Sequence, residues 1–130
     1  MKLPEPRAML LLDGLGALAT AFTVGLVLPQ VASSVGLEPR VLGSLGLYGV
    51  GCATYSLGCW RILKAHWARA LTGIVGANLV YCGITASVVA TRWEALTWLG
   101  VAYFVGEMAV IVALVAVEIA VVRASARGRP

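Results

Sequence analysis

Four long apolar runs, separated by three short polar breaks, make up nearly the whole chain. They extend over residues 8 to 33, 41 to 60, 70 to 90 and 96 to 122. Each run has about the ~20 residues that an α-helix needs to cross the hydrocarbon core of a bilayer. The breaks read "GLEPR", "RILKAHWAR" and "TRWEALTW". Connections this short make sequential helices antiparallel neighbours. The pattern therefore predicts an all-α fold, a four-helix transmembrane bundle, formed as a single domain over residues 1–130. Pro29 falls in the last turns of the first run and predicts a kink there.

The polar breaks also predict an orientation. Lys2, Arg7, Arg61, Lys64, Arg69, Arg123, Arg127 and Arg129 fall on one side of the bundle, and only Arg40 and Arg92 on the other. Basic residues concentrate on the cytoplasmic side of membrane proteins, so both termini are expected in the cytoplasm. A multi-pass membrane location is expected. Trp60 and Trp67 then mark the inner interface, and Trp93 and Trp98 the outer one. A cleaved leader is not expected, because the first apolar run is long and Asp13 interrupts it.

Composition sharpens the class. Of the 130 residues, 60% are hydrophobic and only 12% charged, with a mean hydropathy of +0.90. Soluble domains carry about 25% charged residues, so too few polar groups are present to clothe a bundle in water. The net charge of +4 is explained by topology, and no nucleic-acid partner is expected. The 15 glycines lie mostly within the runs. Ala17, Ala21 and Gly25 repeat every fourth residue, a pattern that lets a second helix approach closely.

Against this background, carboxylates at membrane depth are conspicuous. The segment "EMAVIVALVAVE" is apolar except at its ends, Glu107 and Glu118. Eleven residues turn a helix through about 1100°, so both carboxyls share one face, about 16 Å apart along the axis. Glu107 falls near mid-span, where charging a carboxyl costs at least ~2.5 kcal/mol; the neutral acid is the expected form, pointing into the bundle. Glu118 lies a turn from Arg123 and is expected to snorkel to the interface or pair with it. Asp13 falls at a similar inner depth. Tyr48, Cys52, Tyr55 and Cys59 form a stripe on the second helix, and Asn78, Tyr81, Cys82 and Thr85 another on the third. Together these residues predict a polar seam inside the bundle that satisfies the carboxyls through phenol and amide groups. The expected seam comprises Glu107, Glu118, Asp13, Asn78, Tyr81, Tyr55, Tyr48, Cys52 and Cys82.

Several chemistries lack their residues. His66 is the only histidine, which excludes a bis-histidine haem or a multi-histidine zinc site within one chain. The three cysteines include no CxxC pair, as a disulfide-exchange enzyme would want. Nucleotide-binding, nucleophile-elbow and HExxH motifs are absent. No cofactor is expected, and a non-enzymatic role is favoured.

The stretches "LLLDGLGAL", "VLPQ", "YSLGCW", "GANLVYCGIT" and "VAYFVGEMAVIVALVAVE" resemble a group of small bacterial four-span integral membrane proteins. The resemblance covers most of the chain. It implies Asp13, Gly14, Pro29, Tyr55, Cys59, Asn78, Tyr81, Cys82, Glu107 and Glu118 as the recurring residues, and it implies no activity. In size and span count the chain also resembles small multidrug transporters, but their first-helix glutamate motif has no close match here. The leading function is binding of a small ligand, lipid or partner helix in the seam; the alternatives are proton-coupled transport by a homodimer, a structural role in a larger membrane complex and, last, an enzyme acting on a lipid.

Overall fold

The computed structural model describes residues 2 to 128; Arg129, counted above, lies outside the described residues. The helices are α1 (Pro6–Gln30), α2 (Ala32–Val35), α3 (Pro39–Ile62), α4 (Trp67–Thr91) and α5 (Trp98–Arg127). There is no strand among the described residues. Prolines open α1 and α3, where the missing N–H would have had no partner and the fixed φ suits the first turn. Thr97 caps α5, its hydroxyl accepting from the Gly100 N–H at 3.1 Å.

The expected kink near Pro29 takes a definite form. Pro29 offers no N–H to the Gly25 carbonyl, and its ring crowds that oxygen. The helix responds by widening over Thr23–Val27 into a π-helical stretch, with the Leu28 N–H donating to Thr23 O. Helix α1 then stops at Gln30, before the expected Ser33. The short α2 ends at Gly36, whose φ is +90° and where a Cβ would collide with the Ala95 carbonyl. Glycine is required there on both counts.

Three helices, α1, α4 and α5, are long and apolar enough to cross a membrane. Helix α3 is comparable in length, with 24 residues. Its glycines, together with Ser44, Tyr48, Thr54, Tyr55 and Ser56, make it less apolar.

Helix α1 lies along α3, α4 lies along α5, and α3 meets α4. The α1–α5 contact is much slighter. Leu28, Val35, Leu42 and Phe104 build a core toward the α2 end, and Met9, Leu10, Leu71 and Val121 another toward the α3–α4 turn. The α2 end is clamped shut. The Thr97 hydroxyl donates to Ser34 O at 2.6 Å, and its N–H to Val35 O at 3.1 Å. Arg92 pairs with Glu38 at 2.9 Å on the surface above. Polar side chains occupy the zone between the two cores.

Candidate functional site, a groove between the first and last helices

Below the clamp, α1 and α5 diverge and leave a cavity of about 640 Å³. Gly16, Ala17, Ala19 and Thr20 of α1 form one wall, and Ala102, Gly106, Val110 and Leu114 of α5 the other. Tyr48 and Cys52 of α3, with Asn78 and Tyr81 of α4, form the floor. Small residues at the rim leave the groove open sideways: a Cβ built at Gly16 or at Gly106 would meet nothing within 4 Å.

Two polar centres stand in or beside this groove. In the first, Glu107 reaches inward from α5 and the Tyr81 hydroxyl donates to its carboxyl, 3.2 Å from Oε2 and 3.3 Å from Oε1. The Tyr81 ring packs on Tyr48 with centroids 5.6 Å apart. The Tyr48 hydroxyl is engaged elsewhere, donating to Ala77 O at 2.8 Å.

The second centre is more enclosed. Asp13 is 2% exposed. Its Oδ2 accepts from the Ser56 hydroxyl at 2.6 Å and its Oδ1 from the Asn78 amide at 2.7 Å. Glu118 is wholly buried and faces Asp13 and Asn78. Neither Glu118 oxygen has a hydrogen-bond partner among the described residues. Asp13 and Asn78 line the groove, and Glu118 sits behind them.

The structure thus brings Asp13, Asn78, Tyr81, Tyr48, Cys52, Glu107 and Glu118 to one polar interior. Three expectations need correction. Glu118 neither snorkels nor pairs with Arg123. The one ion pair among the described residues is Arg92–Glu38; the face that carries Glu107 inward carries Glu118 inward too. Tyr55 is not part of the seam. It is 42% exposed, lies against Gly73 and donates to Ala70 O at 3.0 Å. Cys82 sits half-buried on the flank of α4, near Glu107 but outside the groove lining.

Ser56 is the residue that sequence reasoning missed. The buried edge of α3 runs through Leu42, Leu45, Gly49, Cys52, Ala53 and Ser56, meeting the stripe of Tyr48, Cys52, Tyr55 and Cys59 at Cys52 alone. The run of glycines at that edge was the available signal. Among the described residues no group of three or more His, Cys, Asp or Glu is placed to hold a metal ion.

No protein-family model matches the chain, and neither does any curated protein or solved structure. Function has to be read from the residues themselves.

Proposed function

We propose that the chain is a four-span protein of the bacterial inner membrane, with both termini in the cytoplasm, and that its groove binds a lipid-soluble molecule with a hydrogen-bonding head. The outer surface supports the membrane reading. Leu47, Val112 and Trp98 point away from the bundle, Leu47 with 72% of its surface exposed. Such a surface suits lipid and would associate in water. The eight-to-two division of basic residues supports the orientation. The glycines of α3 are no obstacle to its being a span, since α1 covers Gly46 and Gly49.

The observation that carries the ligand reading is the groove. Its volume of about 640 Å³ lies within the range of about 300–1,000 Å³ usual for small-molecule sites. Its walls are largely aliphatic, while Glu107, Tyr81, Asp13 and Asn78 lie at its floor. A ligand arriving sideways from lipid would lay its apolar part along α1 and α5 and turn its head inward. No basic side chain lines the groove. An anionic head would face carboxyls with nothing to pair it, so the fitting head is neutral or cationic and donates hydrogen bonds. A purely structural subunit would call for a filled interior, which speaks against that role. Proton-coupled transport by a homodimer is the second reading, favoured by the groove's open side, which a facing copy would close.

The test is chemical identification of what the protein carries. Protein purified in mild detergent should release a single class of amphiphile on solvent extraction, near one per chain by mass spectrometry. Gly106→Leu places a side chain in the groove without touching the backbone and should lower that occupancy at least ten-fold. Equal occupancy in the variant, or no bound molecule in the parent, would refute the proposal.

A further inference from the structure

We infer that Asp13 and Glu118 form a one-proton carboxyl pair, a proton-binding site behind the groove and distinct from Glu107. The pair rests on the membrane-embedded reading, but not on the groove holding a ligand.

The geometry separates the roles of the two carboxyls. Asp13 accepts from two donors, Ser56 at 2.6 Å and Asn78 at 2.7 Å. The first distance falls in the ~2.5–2.7 Å range of a hydroxyl bound to an ionised acceptor. Both partners direct hydrogens at Asp13, which is how a carboxylate is held and not how an oxygen cage for a metal cation is built. Glu118 is the opposite case. It is fully buried, its oxygens lack partners, and it is turned toward Asp13. A charged carboxyl so placed would be desolvated, with no cation and nothing more than the Asn78 amide, already given to Asp13, to support it. A protonated one has a single hydrogen to give, and Asp13 is the acceptor beside it.

The surroundings supply no counter-charge. Cys52 and Ser56 reach the pair from α3 and Asn78 from α4, and Glu107 stands further along α5. Tyr48 lies beyond Cys52 on the groove floor. Arg7, the basic residue of α1, stacks on Trp60 at 5.2 Å. Two adjacent carboxyls without a cation do not both ionise, so they retain a proton. The proton can move: Glu118 O–H gives it to Asp13, Glu118 becomes the carboxylate, and the charge of the pair is unchanged. Asp13 lines the groove and Glu118 does not, so exchange with the groove passes through Asp13. Release there leaves two facing carboxylates, so the proton departs only as another proton or a positive group replaces it.

Infrared spectroscopy of the full chain in lipid nanodiscs tests this. Glu5, Glu38 and Glu94 are exposed, so a protonated carboxyl at neutral pH belongs to Asp13, Glu107 or Glu118. In a Glu107→Gln background one carbonyl band should remain and shift in D₂O. Adding Glu118→Gln should abolish it. Adding Asp13→Asn should keep it, moved to higher frequency because its strong acceptor is gone. Gly16→Leu, which narrows the groove next to Asp13, should slow the deuterium shift several-fold. Absence of the band overturns the pair. So does its survival in Glu118→Gln, or its loss in Asp13→Asn. An unchanged exchange rate in Gly16→Leu overturns the groove as the proton's route. Should Glu118→Gln fail to fold, the Asp13→Asn spectrum decides alone.

Discussion

Along one edge of α1, Ala21 and Gly25 meet Gly46 and Gly49 of α3; along the other, Gly16 and Ala19 face Ala102 and Gly106 of α5 across open space. At the first edge the backbones touch. A Cβ on Gly49 would sit 3.2 Å from the Ala21 nitrogen, and one on Gly25 would sit 3.2 Å from the Gly46 Cα. At the second edge, added methyl groups meet nothing. The same residue types give a sealed contact and a cavity because of what lies between the helices. Where the backbones of α1 and α3 touch, only Ala21 and glycines stand between them. Between α1 and α5 stand Tyr103, Glu107, Ile111 and Leu114, with Tyr48 and Tyr81 rising from below. These larger side chains hold the axes apart, and the small residues at the rim then leave a mouth. A small-residue pattern on one helix permits close approach but does not select it.

Substitutions can break this contrast. Gly46→Leu should have the largest effect, because its first carbon already collides with the Gly25 backbone. A loss of about 3 kcal/mol or more is expected, seen as a collapse of thermal stability in detergent. Ala21→Leu, at the same edge but against the Gly49 backbone, should cost about 1–3 kcal/mol. Gly16→Leu should change stability by about 1 kcal/mol or less, with gained helix propensity as the main contribution. Should Gly16→Leu prove as damaging as Gly46→Leu, the two edges would not differ and the groove would be closed in solution. Should Ala21→Leu unfold no sooner than the parent, the sealed edge would be misplaced.

The contrast also explains what could be read in advance. Helix positions and the inward face of α5 follow from run length and from an eleven-residue spacing that nearly closes a whole number of turns. Asn78 and Tyr81 were legible because α4 has one polar stripe and one buried edge, and they coincide. On α3 they share only Cys52. Tyr55 looked like part of the interior because tyrosines and cysteines share its stripe. The buried edge runs instead through glycines and Ser56, because close approach to α1 selects for size before polarity. Glu118 was misjudged for another reason. Proximity to Arg123 is visible along a helix, whereas the partner that orients Glu118 comes from the far end of the chain. The groove itself was not legible, since helix separation depends on how four sets of side chains interlock.

The polar cluster around Asp13 has a consequence for how the chain is made. Ser56 lies 43 residues after Asp13 and Asn78 lies 65 after it. During synthesis α1 emerges with an acidic side chain that has no partner, gains one when α3 docks and a second when α4 follows. Only α5 arrives with its carboxyl addressed to a site already built. A nascent chain stopped before Trp98 therefore already holds Asp13 with Ser56 and Asn78. A solitary α5 carries Glu118 with none, so the site around Asp13 takes shape before the last helix reaches it.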